Sequence, residues 1–264
     1  MKLKKHRYTR SSTDMDFNYT KIKIGNWLYK NCFPLYNFTY TRFKNKNDHH
    51  EIELLKKLIK PGDHVLDIGA NIGFYAKIIS NIVGQNGKVY CFEPDKPNFN
   101  YLVKNTKGIN NISLFNLAVS DKAEVIKVYK SKLLNVDHRT YPVNNYDSVE
   151  EINANSIDGL LELKKIEKVD FIKIDIQGFE LTAFKGMKQL LTSNKHLKII
   201  AEYWPHGFKR AGTSAIEFFD FFDRLNYKFT LIDEGKTQLI TREYIVDNND
   251  KPFEFSFNVL IEKK

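Results

Sequence analysis

Short apolar runs alternate with helical patterns along most of the chain. Each run is followed by a segment in which apolar residues recur every three or four positions, the spacing of an amphipathic helix. This alternation is typical of a parallel sheet whose strands are joined by helices. The predicted parallel strands are Val65–Ile68, Val89–Phe92, Ile112–Phe115, Val169–Ile174 and Lys198–Ala201.

The two ends of the chain follow other patterns. Phe229–Ile232 and Phe255–Ile261 predict the last two strands. Residues 1–47 predict an N-terminal extension, which either packs beside a cofactor or acceptor site or covers the sheet as an edge strand and a helix. Its predicted parts are a polar tail, a short helix within Ile22–Phe33 and an extended segment over Leu35–Phe43.

Three helix starts carry capping signals. Asp48 with Glu51, and Ser214 with Glu217, have the spacing of a capping box, in which the first side chain accepts from a backbone N–H group of the first turn. Ser156 predicts a further N-cap before a short helix.

The first predicted strand ends in a glycine-rich turn that opens a helix. Gly69 and Gly73 bracket this turn, and the helical pattern begins directly after it. Such a turn leaves backbone N–H groups pointing at whatever lies over the strand end. The sequence therefore predicts a cofactor site at this point.

Acidic residues beside the turn decide which cofactor is expected. Asp67 precedes the turn, and Glu93 ends the second strand about twenty residues after the glycines, where a carboxylate can accept from ribose hydroxyls. The fingerprint for dinucleotides needs glycines where this chain has Asn71 and Phe74. Because a carboxylate repels a pyrophosphate but suits an amino group and a sulfonium, the pattern favours S-adenosylmethionine over NAD.

Four segments carry a resemblance to a known family. They are Asp67-Ile-Gly-Ala-Asn-Ile-Gly73, Phe92-Glu-Pro-Asp95, Ala118-Val-Ser-Asp121 and Lys173-Ile-Asp-Ile-Gln-Gly-Phe-Glu180. In this order they resemble the motifs of the FkbM-type S-adenosylmethionine-dependent methyltransferases, over roughly Pro61 to Glu202. One departure is Gln177, where the family leads us to expect Glu.

The resemblance implies a fold and a reaction. The fold is α/β, the Rossmann-like class I methyltransferase fold, with a seven-stranded and mostly parallel sheet, helices on both faces and a final strand inserted antiparallel. Residues 48–264 would form this domain. The implied reaction is methyl transfer to a hydroxyl, often of a sugar.

The cofactor is expected at the carboxyl ends of the parallel strands, where ligands of open α/β sheets bind. The residues expected to contact S-adenosylmethionine are Asp67, Gly69, Ala70, Asn71, Gly73, Phe74, Tyr75, Glu93, Pro94, Asn116, Ala118 and Asp175. Of these, Asn116 and the Ala118 backbone are expected at the adenine edge.

Methyl transfer to a hydroxyl requires a base that removes the proton. Asp175, after the fourth strand, and His138, in an aperiodic polar segment, are the expected catalytic residues. The residues expected to contact the acceptor are Asp137, Arg139, Tyr141, Glu202, Tyr203 and Trp204. Asp137, Asp175 and Glu202 together offer carboxylates to a divalent metal, but their spacing does not support a metal site.

Composition narrows the class of protein. A chain of 264 residues with a hydrophobic share of 42% suits one globular domain with extensions. The net charge of +9 is compatible with nucleic acid or a membrane surface, but the lysines are scattered along the chain. Cys32 and Cys91 have neither disulfide nor metal spacing, and no apolar segment is long enough to span a membrane. We therefore expect a cytoplasmic protein without a membrane span, and its oligomeric state stays open.

Two other functions share the predicted cofactor site. An RNA ribose methyltransferase would fit the basic charge, and a non-catalytic cofactor-binding protein would need no base. Methylation of base amino groups is excluded, because Asp175-Ile-Gln-Gly replaces the Asn/Asp-Pro-Pro-aromatic sequence of those enzymes. The main expectation is an O-methyltransferase acting on a sugar, a glycan or a glycosylated small molecule, with nucleic acid not expected as a partner.

Overall fold

The computed structural model describes residues 12–131, 139–140, 146–233, 236–252 and 255–264. The helices are α1 (Ser12–Asn31), α2 (Phe33–Asn47), α3 (His49–Leu58), α4 (Phe74–Val83), α5 (Lys96–Asn105), α6 (Ile157–Glu162), α7 (Glu180–Lys185), α8 (Lys188–Ser193), α9 (Pro205–Arg210), α10 (Ala215–Arg224) and α11 (Arg242–Asn248). The strands are β1 (His64–Ile68), β2 (Lys88–Phe92), β3 (Ile112–Phe115), β4 (Ala118–Val119), β5 (Glu124–Ser131), β6 (Tyr146–Asn155), β7 (Phe171–Ile174), β8 (Lys198–Tyr203), β9 (Tyr227–Asp233), β10 (Lys236–Ile240) and β11 (Phe257–Lys263). Within these residues, no helix combines the length and the apolar composition that crossing a membrane requires.

The central sheet has eight strands in the order β10-β9-β11-β8-β7-β1-β2-β3. Strands β8, β7, β1, β2 and β3 are parallel, and β11 lies antiparallel between β8 and β9. The mostly parallel sheet and its antiparallel last strand are thus confirmed. The predicted number of seven strands is wrong, because β10 adds an antiparallel edge strand to β9. An edge strand is paired on one side only, so a short and partly exposed segment is enough to form it.

Helices cover both faces of this sheet, as predicted. Alternate residues of β1 enter two separate cores, because successive side chains of a strand point to opposite faces. Val65 packs with residues of α3 and α4, whereas Leu66 and Ile68 pack with residues of α7 to α10.

A second, three-stranded sheet has the order β4-β6-β5. The alternating pattern of Val125–Tyr129 predicts a strand from the sequence, and these residues lie in β5, which pairs antiparallel with β6 along its length. Strand β6 was not predicted, because Glu150 and Glu151 interrupt the apolar pattern there. The small core of this sheet consists of Ala118, Val128, Ile152 and Ala154.

The N-terminal extension is helical where the structure describes it. The predicted extended segment Leu35–Phe43 is wrong, because these residues lie within α2. Phe33, Tyr36 and Tyr40 have the spacing of one helix face, and this face packs towards Ile72 and Tyr101. The predicted tail falls mainly on residues 1–11, which are outside the described residues, while α1 begins at Ser12.

Two of the three predicted helix caps are confirmed. Ser156 Oγ accepts from the Gly159 N–H group at 3.1 Å, and Ser214 Oγ accepts from the Glu217 N–H group at 3.1 Å. The capping box at Asp48 is wrong, because its side chain makes no cap hydrogen bond. That carboxylate accepts from the Tyr75 hydroxyl instead and pairs with Lys44 in the preceding helix.

Candidate active site

The turn after β1 is held against the ends of two neighbouring strands. The N–H groups of Gly69 and Ala70 both donate to the Phe92 carbonyl oxygen, each over 3.0 Å. Gly69 has a φ of +85°, and a Cβ atom there would lie 2.1 Å from the Asp175 carbonyl oxygen. Glycine is therefore required for the ends of β1 and β7 to approach so closely, and the opening beside this contact is left for a ligand.

The rest of the turn supports α4. Gly73 has a φ of +89°, and a Cβ atom there would lie 2.8 Å from Leu102 Cδ1 of α5. Ala70 is buried, the Phe74 ring packs edge-on to Tyr40 of the N-terminal extension, and the Tyr75 hydroxyl bonds to Asp48. The structure thus places Ala70, Gly73, Phe74 and Tyr75 behind the turn, where they hold it in place.

Glu93 is fixed at the end of β2 by two backbone hydrogen bonds. Its Oε2 atom accepts from the Asn71 N–H group at 2.8 Å, and its Oε1 atom accepts from the Asp95 N–H group at 2.9 Å. The side chain is 6% exposed, and burial raises the pKa of its carboxyl to about 8 despite these two hydrogen bonds. Each carboxylate oxygen has a further lone pair, so Glu93 can accept from ligand hydroxyls.

A cleft opens at this edge of the sheet. Of the residues predicted to contact the cofactor or acceptor, it is lined by Gly69, Asn71, Glu93, Pro94, Ala118, Arg139 and Asp175. Apolar residues that the sequence did not single out line it as well, namely Ile68, Phe92, Leu117, Val119, Ile126, Val128, Ile176 and Phe179. Apolar walls with a few polar groups are typical of a site for a flat heterocycle that carries a polar sugar.

Asn116 has a structural role in the turn after β3. Its side-chain amide donates to the carbonyl oxygens of Glu93 and Pro94, over 2.9 Å each. These two bonds tie the end of β3 to the segment after β2. The predicted contact with adenine stays a prediction, because the amide donors are already used by the backbone.

Asp67 belongs to a buried polar cluster beneath the turn. It is 1% exposed, and neither carboxylate oxygen has a hydrogen-bond partner among the described residues. Lys173, its neighbour on β7, lies with Nζ 3.7 Å from Glu51 Oε1 and 4.1 Å from the centre of the Tyr75 ring. Burial raises the pKa of Asp67 to about 6, and Lys173 opposes this shift.

This arrangement bears on the predicted role of Asp67. Because the side chain is enclosed and does not line the cleft, its contact with the cofactor stays a prediction. The sequence offered one signal for the cluster, a lysine on the same face of a strand as the buried Phe171. A lysine within an apolar run is seldom fully buried without a partner.

Two acidic residues, Asp175 and Glu180, follow β7, and a third, Glu202, lies near the end of β8. Asp175 is exposed at the edge of the cleft, and its Oδ1 atom accepts from the Gln177 side-chain amide at 2.9 Å. Glu180 is buried and accepts from the Ile176 N–H group at 3.0 Å, and burial raises its pKa to about 8. Burial, together with the charges of Asp175 and Glu180, raises the pKa of Glu202 well above its ordinary value. Of the three, Asp175 is the one that lines the cleft.

The predicted acceptor residues are only partly brought together. Arg139 lines the cleft, and its guanidinium lies 5.0 Å from the centre of the Trp204 ring. Tyr203 is fully buried between Phe208 and Phe257, which does not support the predicted contact with a sugar. The predictions for Asp137, His138 and Tyr141 fall outside the described residues.

Two observations test whether these residues fit S-adenosylmethionine. The Oδ1 atom of Asn71 is buried at the cleft without a hydrogen-bond partner among the described residues, so an acceptor is left for a donor of the ligand. Asp175 and Glu93 bring carboxyl groups to the same opening, which suits a cation with ribose hydroxyls. The residues therefore fit. Within the described part of the chain, His, Cys, Asp and Glu form no group of three or more that could hold a metal ion.

The topology and the site together define a class of protein. The parallel strands, the antiparallel β11 between β8 and β9, the glycine turn after β1 and the acid after β2 are those of a class I methyltransferase. Residues 67–229 match the family model described as the methyltransferase FkbM domain. The chain belongs to the FkbM family of S-adenosylmethionine-dependent methyltransferases.

Similar proteins include curated enzymes and a solved structure. The chain is 29% identical to the hexuronic acid methyltransferase AglP of Haloferax volcanii over 143 residues, which are 54% of this chain and 57% of AglP. It is 24% identical to the 2-O-methyltransferase NoeI of Sinorhizobium fredii over 161 residues, 55% of this chain and 65% of NoeI. The matches thus span less than two thirds of either relative. The crystal structure of a methyltransferase FkbM from Methylobacillus flagellatus has a TM-score of 0.45 and 16% identity, over 80% of this chain and 50% of that chain.

Proposed function

We propose that the protein transfers the methyl group of S-adenosylmethionine to a hydroxyl of a sugar, a glycan or a glycosylated small molecule. Residues 48–264 form the proposed methyltransferase domain, with residues 1–47 as its extension. The observation that carries the proposal is the position of Asp175. Its carboxyl group is exposed at the edge of the cofactor cleft, while its backbone touches the glycine turn.

The proposed cofactor contacts follow from the groups that line the cleft. Glu93 accepts hydrogen bonds from the ribose hydroxyls, because its two oxygens keep lone pairs beyond those used by Asn71 and Asp95. Asn71 accepts from the amino group through its unpartnered Oδ1 atom. Pro94, Ala118 and the apolar residues of β5 enclose the adenine ring.

The proposed chemistry asks little of the protein beyond alignment and proton removal. When bound, S-adenosylmethionine supplies an electrophilic methyl group on a positively charged sulfur. Asp175 accepts the proton of the acceptor hydroxyl, which makes the oxygen a better nucleophile. The hydrogen bond from Gln177 holds the carboxylate of Asp175 in one orientation while leaving its other oxygen available.

Other residues stay in the proposal as acceptor contacts. Arg139 lines the cleft and offers a positive charge, and the buried Trp204 ring packs against its guanidinium. Glu202 lies close enough to Asp175 to interact with its charge, and burial, together with that charge, raises the pKa of the Glu202 carboxyl and favours its protonated form. His138, outside the described residues, remains a second candidate base, and Asp137 and Tyr141 remain candidate acceptor contacts.

A sugar acceptor is favoured by the named activities of the relatives. AglP is a hexuronic acid methyltransferase and NoeI is a 2-O-methyltransferase. An arginine at the cleft also suits an acidic sugar, because its guanidinium binds carboxylates in a bidentate manner. The position that is methylated is not part of the proposal.

The proposal is tested by a transfer assay with labelled methyl donor over a panel of neutral sugars, uronic acids, glycans and RNA. We expect transfer to a sugar hydroxyl, and we expect Asp175→Asn to keep S-adenosylmethionine affinity while transfer is lost. Asp223→Asn serves as control, because Asp223 precedes β9 and therefore lies at the opposite edge of the sheet. Full transfer by Asp175→Asn would remove that residue as the base, and transfer to RNA alone would replace the sugar with a ribose acceptor.

A further inference from the structure

The excess positive charge of the protein lies in its N-terminal extension. Residues 1–47 contain 11 Lys and Arg and two Asp, whereas residues 48–264 contain 30 Lys and Arg and 30 Asp and Glu. Lysines are spread along the whole chain, but after residue 47 the acidic residues balance them. The net charge of +9 thus belongs wholly to the extension. A charge excess confined to one segment is typical of a segment that binds an anionic partner.

One side of the extension is bound to the rest of the protein. Tyr29 and Tyr36 are buried, and the Tyr29 hydroxyl donates to Asn98 Oδ1 at 2.6 Å. The Phe33 ring stacks on Tyr101 of α5 with 3.4 Å between ring centres. These contacts fix the orientation of α1 and α2 on the rest of the protein. The opposite, outer side of the two helices therefore faces away from it.

The outer side combines exposed apolar residues with basic ones. We define the basic-aromatic face as Ile24, Trp27, Lys30, Leu35, Phe38, Arg42, Phe43 and Lys46. Its five apolar side chains are 48% to 63% exposed, and the three basic side chains are exposed as well. Spacings of three and four residues place neighbours on the same side of each helix. The Arg42 guanidinium lies 5.6 Å from the centre of the exposed Phe38 ring.

The composition of this face favours one kind of partner. A second copy of the chain would bring the same positive face against itself, and no Asp or Glu occurs from Phe17 to Asn47. Single-stranded nucleic acid suits basic and aromatic residues, but Ile24 and Leu35 offer nothing for a base to stack on. Helices with Lys and Arg beside Trp, Phe and Leu are typical of segments that lie in the surface of an anionic membrane.

We propose that the basic-aromatic face binds the surface of membranes that contain anionic lipids. The apolar side chains enter the boundary between headgroups and acyl chains, and Lys30, Arg42 and Lys46 contact the lipid phosphates. Each basic residue near such a surface raises membrane affinity roughly fivefold. Asn98 lines the cofactor cleft and bonds to Tyr29, so the helices that carry this face are tied to a residue of the cleft.

The test is flotation of the full chain with vesicles of phosphatidylcholine, with and without phosphatidylserine. We expect binding to the vesicles with phosphatidylserine, and weaker binding as the salt concentration rises. The double variants Trp27→Ser with Phe38→Ser, and Arg42→Glu with Lys46→Glu, should each lower this binding at least tenfold. All four positions are exposed, so the variants should keep their affinity for S-adenosylmethionine, which shows that they are folded.

Matched controls lie outside the extension. Leu163→Ser removes an apolar side chain that is 64% exposed, and Lys185→Glu with Lys188→Glu reverses two exposed charges. We expect both to bind vesicles as the unchanged protein does. The proposal is overturned if the unchanged protein does not float, or if both face variants float equally well. It is also overturned if the face binds only RNA in a mobility-shift assay, or if it mediates only self-association.

Discussion

The contact between the glycine turn and the end of β7 can be tested with one added methyl group. A Cβ atom at Gly69 would lie 2.1 Å from the Asp175 carbonyl oxygen, and both residues line the cleft. Gly69→Ala should therefore force the two strand ends apart. The substitution destabilises the turn in a second way as well, because alanine disfavours the φ of +85° at this position.

Gly108 provides a matched control. Its φ is +84°, but a Cβ atom there would meet nothing within 4 Å. Gly108→Ala should cost only the left-handed conformation, about 1–2 kcal/mol of unfolding free energy. Gly69→Ala should cost this amount plus roughly 1–3 kcal/mol for the overlap with the Asp175 backbone. The difference between the two variants isolates the contact from the backbone conformation.

Two assays separate stability from binding. Urea denaturation gives the unfolding free energies, and calorimetric titration gives the affinity for S-adenosylmethionine. Displacing the turn weakens the bonds from Gly69 and Ala70 to Phe92, each of which contributes about 1 kcal/mol. We expect affinity to fall at least about tenfold in Gly69→Ala and to stay unchanged in Gly108→Ala. Equal stability and equal affinity in the two variants would refute the close approach of β1 and β7.

Three further predictions concern buried groups and a helix cap. Burial raises the pKa of Glu180 in the folded protein to about 8, above its ordinary value of 4.5. The stability that Glu180 contributes is therefore fully present below pH 4.5 and is lost as the pH rises through about 8. Glu180→Gln should therefore lose less stability than the unchanged protein between about pH 5 and about pH 8, and parallel urea curves for the two proteins would contradict this. Lys173→Met leaves the carboxyl groups of Asp67 and Glu51 without their buried cation. It should lower the unfolding free energy by about 3–5 kcal/mol, measured by guanidinium denaturation at neutral pH. A loss below about 1 kcal/mol would mean that charge does not hold the cluster together. Ser214→Ala should cost about 1 kcal/mol in the same assay, because the Glu217 N–H group loses its acceptor, and an unchanged midpoint would show that water replaces it.

The sequence predicted the parts of the site that depend on strand ends. Gly69, Glu93 and Asp175 each follow an apolar run, and parallel strands bring their carboxyl ends to one edge, so the order of runs was enough to group them. The identity of the cofactor followed from the acid after β2 and the missing glycines. The strand ends, the glycine turn and the acid after β2 are local features, and local features can be predicted from one sequence without knowing which elements pack together.

Features that depend on distant packing were not predicted. Ile126 and Val128 line the cleft only because β5 pairs with β6, and the polar residues of β6 concealed that partner. Tyr36 and Tyr40 alternate with Phe38 as they would in a strand, yet packing against Tyr101 selects the helix. Neither outcome can be deduced without knowing which elements meet.

The function of Asn116 shows the same limit at one residue. Its position directly after β3 was predicted, whereas its contact with adenine stays a prediction. Its amide nevertheless bonds to the carbonyl oxygens of Glu93 and Pro94, because these would otherwise lack donors in the turn. The sequence thus predicted where Asn116 lies, but it could not predict that backbone carbonyl groups take up the hydrogen-bond donors of its side chain.

The most direct test of the central claim is mass spectrometry and NMR of a glycan after incubation with the protein and S-adenosylmethionine that carries a deuterated methyl group. We expect the deuterated methyl on a sugar oxygen, and we expect none with Asp175→Asn despite retained cofactor binding. A methyl group on carbon or nitrogen, or an acceptor panel that stays unlabelled while RNA is methylated, would contradict the account.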